Sequence, residues 1–282
     1  MKKISTFQLV NPVNLLPGNF YTMRILRKIL LSLLGEKRYL SLLAFSFQRL
    51  YKTGKLGGDY QDIYFLKSVV GEGNLCVDIG AHLGYYTMEL SRLVKDSGKV
   101  LAIEPMTKFN QTLGRMLKKK NISNVEVYQV ALGGEGEFVE MGIPKVNSVK
   151  KFGYARVIAS NTSLNYIETE KVKNESGDHL FLNLSRLDFI KCDVEGLEVQ
   201  VFSSMMKTIA KHRPILLCEL ADKGERVKLY EMLSPFSYKI YFLENKKLHL
   251  MDVHSDIKPV SHNHYFIPSS HQERLKAIIN AS

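Results

Sequence analysis

The sequence predicts an α/β fold, a doubly wound and mostly parallel sheet carried behind an N-terminal helical arm. Three observations carry that prediction. From Leu75 to Val130, short apolar runs alternate with stretches of helical periodicity, the pattern of strand-helix-strand units in one parallel sheet. The first run passes into its helix through a glycine turn, Gly80 to Gly84, where residues without a Cβ permit positive φ and close approach of the backbone to a ligand. Later runs end in an acid, at Glu104, Asp193 and Glu219, and ligands of open α/β sheets bind beyond the carboxyl ends of the strands.

Each element follows from its own pattern. Met1 to Phe20, interrupted by Pro12 and Pro17, reads as an extended arm. Tyr21 to Lys52 reads as two amphipathic helices broken at Gly35, the first spaced on Leu26, Leu30 and Leu33, the second on Leu43, Phe47 and Leu50. Arg24, Arg27, Lys28, Lys37 and Arg38 leave no uncharged run of the roughly 18 residues that a membrane span needs. The stretch also lacks the small-residue cleavage site of a signal peptide. Lys55 to Asp62 is a glycine-marked joint, so residues 1–56 form a basic helical arm and residues 57–282 the body. Ile63 to Val70 is a short helix feeding the first strand, Leu75 to Ile79. Helix Tyr85 to Val94, strand Val100 to Ile103, helix Phe109 to Lys120 and strand Val125 to Val130 follow. Lys118, Lys119 and Lys120 close their helix where its dipole favours cations, and read as a solvated cap.

Residues 133–183 are the least regular part, with short alternating runs at Phe138 to Met141, Ala155 to Ile158 and Ile167 to Val172. An insert of this length exceeds what a connection requires, and such inserts above the carboxyl edge of a sheet often build a substrate site. A buried strand from Phe189 to Cys192 comes next, with Asp193 at its tip and Gly196 turning into a helix through Val199 and Met206. Strand Ile215 to Cys218 ends in Glu219. A helix near Val227 to Leu233, a hairpin (Tyr238 to Leu243, Lys247 to Leu250) and a late strand, Tyr265 to Ile267, complete the chain.

Charge separates arm from body. Of the formal +11, residues 1–56 carry +9, from ten Lys or Arg against the single acid Glu36, and the remaining residues only +2. The arm therefore suits either packing on the body as a lid or dimerisation arm, making a homo-oligomer, or docking through residues 21–55 on an anionic membrane surface. The nearly neutral body has no RNA-binding module, so no nucleic-acid partner is expected, and an RNA-modifying enzyme is the alternative that the charge alone favours. Cys76, Cys192 and Cys218 each sit inside an apolar run without metal-ligand spacing, as reduced core thiols of a cytoplasmic protein do. His254, His262 and His264 are spaced irregularly and offer no ligand set, so no metal centre is expected.

The turn reads Asp78-x-Gly80-x-x-x-Gly84, with Ala81 and His82 where a dinucleotide fingerprint would place further glycines. It suits a ligand without a pyrophosphate. Glu104, twenty residues beyond Gly84 at the tip of the second strand, is placed to accept the hydroxyls of an adenosine ribose. Four acids gathered at strand tips, Asp78, Glu104, Asp193 and Glu219, would repel one another unless they served a cationic or hydroxyl-rich ligand.

These segments resemble a known family. The stretch Asp78 to Thr87, then Ile103-Glu104-Pro105, Val130-Ala131-Leu132-Gly133 and Lys191-Cys192-Asp193-Val194-Glu195-Gly196 is similar to the motif series of the FkbM-type S-adenosylmethionine-dependent methyltransferases, over about residues 59–268. His82 and Cys192 depart from that pattern, and the basic arm lies outside it. The resemblance implies the class I methyltransferase fold, Rossmann-like, with a seven-stranded sheet whose last strand, Tyr265 to Ile267, is antiparallel. It implies methyl transfer from S-adenosylmethionine, commonly to a hydroxyl of a sugar, a polyketide or another small metabolite. It places Asp78, Gly80, Ala81, His82 and Gly84 near the methionine portion of the cofactor and Tyr86 and Thr87 on the first helical turn. Glu104 goes to the ribose, and Pro105, Met106, Val130 and Ala131 surround the adenine. Asp193 and Glu195 are the candidate catalytic bases and Glu219 a candidate for substrate hydroxyls. Glu195 has a second reading as a capping acid of the following helix, and His82 reads either as a base or as a turn residue bonded to the backbone. Asp193 and Glu195 would suit Mg²⁺, which the sequence does not require. A non-catalytic, membrane-associated protein that keeps the cofactor fold is the remaining alternative.

Overall fold

The computed structural model describes residues 20–56, 60–146, 149–158, 164–255, 259 and 261–280. The predicted extended arm therefore lies outside the described residues, save for Phe20. In chain order the helix α1 (Phe20–Lys52) comes first, bent where Gly35 takes φ 69° and ψ 162°, as the glycine predicted. Then follow α2 (Gln61–Phe65), β1 (Leu75–Ile79), α3 (Tyr85–Val94), β2 (Lys99–Ile103), α4 (Thr107–Lys119) and β3 (Val125–Tyr128). The middle of the chain holds β4 (Ala131–Leu132), β5 (Phe138–Val146), β6 (Val149–Lys150), β7 (Arg156–Val157), β8 (Tyr166–Glu175) and α5 (Gly177–Phe181). The last third holds β9 (Phe189–Cys192), α6 (Glu198–Ser203), α7 (Met206–His212), β10 (Ile215–Glu219), α8 (Lys223–Leu233), β11 (Tyr238–Glu244), β12 (Lys247–Leu250), β13 (Asn263–Pro268) and α9 (Ser269–Leu275).

The main sheet has the order β12-β11-β13-β10-β9-β1-β2-β3. Strands β3, β2, β1, β9 and β10 are parallel, and β13 runs antiparallel between β10 and β11. The expectation of seven strands is corrected to eight: β12, the second arm of the predicted hairpin, pairs with β11 and extends the edge. Strand order reverses at β1, with β2 on one side and β9 on the other, and this is where such sheets bind ligands.

The apolar runs are continuous because both faces are covered. Cys76, Val100, Phe189 and Leu217 face a core shared with Ile63, Leu66, Leu90 and Val94. Their neighbours Val77, Leu101, Ile190 and Leu216 face the opposite core, packed by Phe202, Ile209 and Leu229. Register then decides where the chemistry sits. Ile79 pairs with Ile103 and with Cys192, and Cys192 with Cys218. The residues that follow this level row are Gly80, Glu104, Asp193 and Glu219, so one sheet edge receives all four.

Three boundaries move. β3 stops at Tyr128, so Val130 lies outside the strand predicted for it, and Ala131 opens a second sheet. That second sheet, in the order β4-β8-β5-β6 with β7 on β5, replaces the irregular insert expected for residues 133–183. β8 runs the ten residues Tyr166–Glu175. Its Lys171 and Lys173 lie on the open face, which permits polar residues, whereas Glu168 and Glu170 lie on the opposite face, where Lys108 and Thr107 of α4 meet them. The single helix expected through Val199 and Met206 is two, α6 and α7, separated at Ser204 and Met205.

The arm packs on the body. Tyr39, Leu40, Leu43 and Ala44 are buried in one cluster with Leu83, Met106, Phe109 and Phe152, and Phe47 stacks on Tyr85 with ring centroids 3.8 Å apart. Among the described residues no helix is long and apolar enough to cross a membrane.

Candidate active site

The turn after β1 is built on backbone proximity. Gly80 has φ +82°, and a Cβ there would lie 1.9 Å from the carbonyl oxygen of Asp193. Only glycine lets the ends of β1 and β9 approach so closely. The N–H groups of Gly80 and Ala81 both donate to Ile103 O at 3.0 Å, which ties the turn to β2. Gly84 adopts φ 82° at the start of α3. Beneath the turn, Thr87 Oγ1 donates to Asp78 Oδ2 at 2.5 Å, and both residues are buried. Burial pushes the Asp78 carboxyl up to about 6, against the pull of Thr87 and Lys191. The pair fixes the first turn of α3 to the tip of β1.

Glu104 joins the second strand to the same turn. Its Oε2 accepts from His82 N at 2.8 Å and its Oε1 from Met106 N at 2.9 Å. Even so, burial dominates and pushes its carboxyl up to about 8. Pro105 is half-buried and Met106 fully buried. Met106 and Ala131 share a cluster with Phe109, whereas Val130 packs against a different cluster, that of Phe202 and Ile209. His82 has φ 49°, and its ring lies 4.2 Å from that of Phe109. Burial lowers its pKa to about 4, so the ring is neutral at physiological pH and a weak proton acceptor. Its Nε2 is buried without a hydrogen-bond partner.

The acids that follow β9 and end β10 surround a cation, Lys191, the first residue of the Lys191 to Gly196 motif. Lys191 is 1% exposed; its Nζ donates to Cys192 O at 3.2 Å and lies 3.5 Å from Asp193 Oδ2. Burial disfavours the ammonium, but Asp193 and Glu219 together raise its pKa above the ordinary value. The Lys191 ammonium also sits 5.1 Å from the ring of Tyr86, which places Tyr86 with the acids. Asp193's charge, followed by burial, holds the Glu219 carboxyl well above the usual range. Burial and then Asp193 push Glu195 up to about 8, opposed by Arg156. A lysine between Ile190 and Cys192 in a buried strand was the signal for this centre, since a charge there needs partners.

Glu195 and Glu198 divide the two readings of the acidic turn. Glu198 Oε1 accepts from Val194 N and Gly196 N, and its Oε2 from Gly196 N, at 3.0 to 3.1 Å, so the turn's free donors belong to Glu198. Glu195, at φ 60°, instead accepts from Arg156 Nη2 at 2.9 Å, a residue of β7 in the second sheet. Nothing in the sequence around Arg156 points to that pairing. On the far side of Glu219, Asp62 of α2 is buried, and its Oδ2 accepts from Ser261 Oγ at 3.0 Å and Asn263 Nδ2 at 3.1 Å. Asn263 is the register partner of Glu219.

Arm and second sheet close over the turn together. Lys108 of α4 pairs with Glu36 of α1 and Glu168 of β8, and Lys150 of β6 pairs with the same two acids. Arg27 lies 5.3 Å over the ring of Phe152, which meets Phe109 edge-on at 6.3 Å. Among the described residues no group of three or more His, Cys, Asp or Glu is placed to hold a metal ion.

This geometry can be set beside known proteins. The chain is 25% identical over 150 residues to Methyltransferase 1 of Beauveria bassiana, a match covering 48% of this chain and 59% of that protein. Solved structures similar to it include the FkbM methyltransferase of Methylobacillus flagellatus (19% identity, 87% of this chain and 60% of that one, TM-score 0.48). Another is a SAM-dependent O-methyltransferase of Thermotoga maritima (13% identity, 73% of this chain and 63% of that one, TM-score 0.42). The chain thus spans about three-fifths of the length of each of these relatives. The Methyltransferase FkbM domain matches residues 78–249, a span that begins at the Asp78 turn, contains the second sheet and the Lys191 centre, and exceeds half of the chain. The chain belongs to the FkbM methyltransferase domain family.

Proposed function

We propose that the chain transfers a methyl group from S-adenosylmethionine to a hydroxyl oxygen of a small hydroxylated metabolite such as a sugar or polyketide. The observation that carries the reading is the level row of strand tips, which sets the Gly80 turn and Glu104 beside Asp193, Glu219 and the Lys191 ammonium. The residues fit the cofactor in kind. The turn brings backbone within reach at Gly80, Glu104 keeps lone pairs for ribose hydroxyls beyond the two that accept backbone N–H groups, and Met106 and Ala131 supply an apolar wall. The sulfonium supplies an electrophilic methyl and leaves as a neutral thioether, so the protein mainly has to align the acceptor and take its proton.

The acids divide that work. Asp193, whose Oδ2 lies 3.5 Å from Lys191 Nζ, is the base that accepts the hydroxyl proton as the methyl bond forms. Glu195 and Glu219, whose carboxyls Asp193 helps to hold above the usual range, retain protons and donate hydrogen bonds to neighbouring oxygens of a polyol. Arg156 orients Glu195 from the second sheet.

Calorimetric titration with S-adenosylhomocysteine, with NAD as control, tests the cofactor. A panel of hydroxylated metabolites scored by mass for one added methylene tests the acceptor. Binding of S-adenosylhomocysteine without NAD supports the reading. Preference for NAD, or binding of neither, overturns it.

A further inference from the structure

We propose that the outer face of α1, with the C-terminal end of α4 beside it, is a docking surface for an anionic lipid bilayer. The inner face of α1 is spent on the body, through Leu40, Leu43 and Phe47. The outer face is not polar, as a solvated helix face would be. Ile29, Leu33, Leu42 and Phe45 are 48%, 75%, 39% and 46% exposed. They alternate with cations: Arg38, Leu42, Phe45, Arg49 and Lys52 follow one another at intervals of three and four, a single stripe on a helix. The only acid of α1, Glu36, is turned to Lys108 and Lys150, so no negative charge interrupts the stripe.

The fold adds a second source of charge that sequence order hides. Lys119 Nζ lies 5.5 Å from the ring of Phe45. Burial, followed by the charges of Lys52 and Lys119, lowers the pKa of Lys120. The three lysines that close α4 therefore join the end of the arm in one basic patch with apolar residues at its centre.

The chemistry of the patch selects its occupant. A bilayer interface takes up the apolar side chains while anionic headgroups meet the cations, the combination by which basic amphipathic helices lie on membranes. A nucleic acid would neutralise Arg49 and Lys119 but leave Leu33 and Phe45 in water. A second copy across a twofold axis would set like cations against one another. The same helix walls the Leu83, Met106 and Phe109 cluster on its inner side, so docking would hold the candidate active site at a fixed distance from the headgroups.

Flotation of the full chain with phosphatidylcholine vesicles, with and without roughly 30% phosphatidylserine, tests this at near-physiological salt. Two variants accompany it, Leu42→Ser with Phe45→Ser, and Arg49→Glu with Lys118→Glu and Lys119→Glu, all at exposed positions outside the site. The proposal expects binding to the anionic vesicles only, weakened at least about tenfold in each variant, with melting temperature and S-adenosylhomocysteine binding unchanged. It is overturned if the native chain ignores anionic vesicles, if both variants bind as the native chain does, or if the patch supports only RNA binding or only dimerisation.

Discussion

Replacing Glu104 by glutamine separates two effects that the native residue combines. Both carboxylate oxygens accept a backbone N–H, from His82 and Met106 at 2.8 and 2.9 Å. An amide offers one acceptor and one donor, so one of those N–H groups loses its partner and faces a second donor. That costs about 1 to 3 kcal/mol at any pH. The second effect depends on pH. The native carboxyl is raised from 4.5 to about 8, so the folded state holds a proton that the unfolded chain has released. Stability from this group is fully present below about pH 4.5 and is lost as pH rises through about 8. At about 1.36 kcal/mol per unit the whole swing is on the order of 5 kcal/mol, and glutamine removes it. Urea unfolding of both proteins at several values between about pH 5 and pH 9 reads the difference, and the other raised carboxyls cancel because they titrate in both. The native protein should lead at the acid end by about 1 to 3 kcal/mol, with the lead shrinking as pH rises and reversing at the alkaline end. A gap that stays constant or widens with pH would show that the two N–H donors outweigh burial and that Glu104 is ionised throughout.

Two further substitutions probe the same edge. Gly80→Ala puts a Cβ 1.9 Å from Asp193 O at a φ of +82°, which should cost about 3 kcal/mol or more from overlap and left-handed strain together; chemical denaturation within about 1 kcal/mol of native would mean that β1 and β9 separate without penalty. Lys191→Met removes the ammonium that lies 3.5 Å from Asp193 Oδ2 and should cost about 3 to 5 kcal/mol. A loss of less than about 1 kcal/mol by chemical denaturation would remove Lys191 as the countercharge of that edge.

How much of this was legible follows from how local each feature is. The parallel strands could be read because Leu75 to Ile79 and Phe189 to Cys192 are covered on both faces, which leaves an apolar run in the sequence itself. The acids at the strand tips came with them. The second sheet was harder. Glu168 and Glu170 of β8 are tolerated in a strand because Lys108 and Thr107 on α4 meet them, and that pairing depends on how the insert returns across the turn. Nor does the run Asp193-Val194-Glu195-Gly196-Leu197-Glu198 say which glutamate takes the backbone donors. The positive φ of Glu195 and Gly196 decides it, turning Glu195 toward Arg156 and leaving Glu198 to close the turn.

The acids at the edge differ from an ordinary polar core in one respect. Buried polar groups that serve only the fold, such as Thr208, whose N and Oγ1 donate to Asp178 Oδ1, carry no charge and are satisfied by a neighbouring acceptor. Asp78, Glu104, Glu195 and Glu219 are each raised by burial or by one another, and the sheet would be more stable with apolar residues in their places. A local violation of this kind, repeated four times at one edge of one sheet, is expected of a functional site rather than of packing. On the methyl-transfer reading proposed above, the requirement of that site has a sign: a cationic sulfonium would favour the ionised form of these carboxyls, and hydroxyls of a polyol would meet the carboxyl oxygens that the backbone leaves free. Lys191 is the cation that the fold itself supplies to that edge.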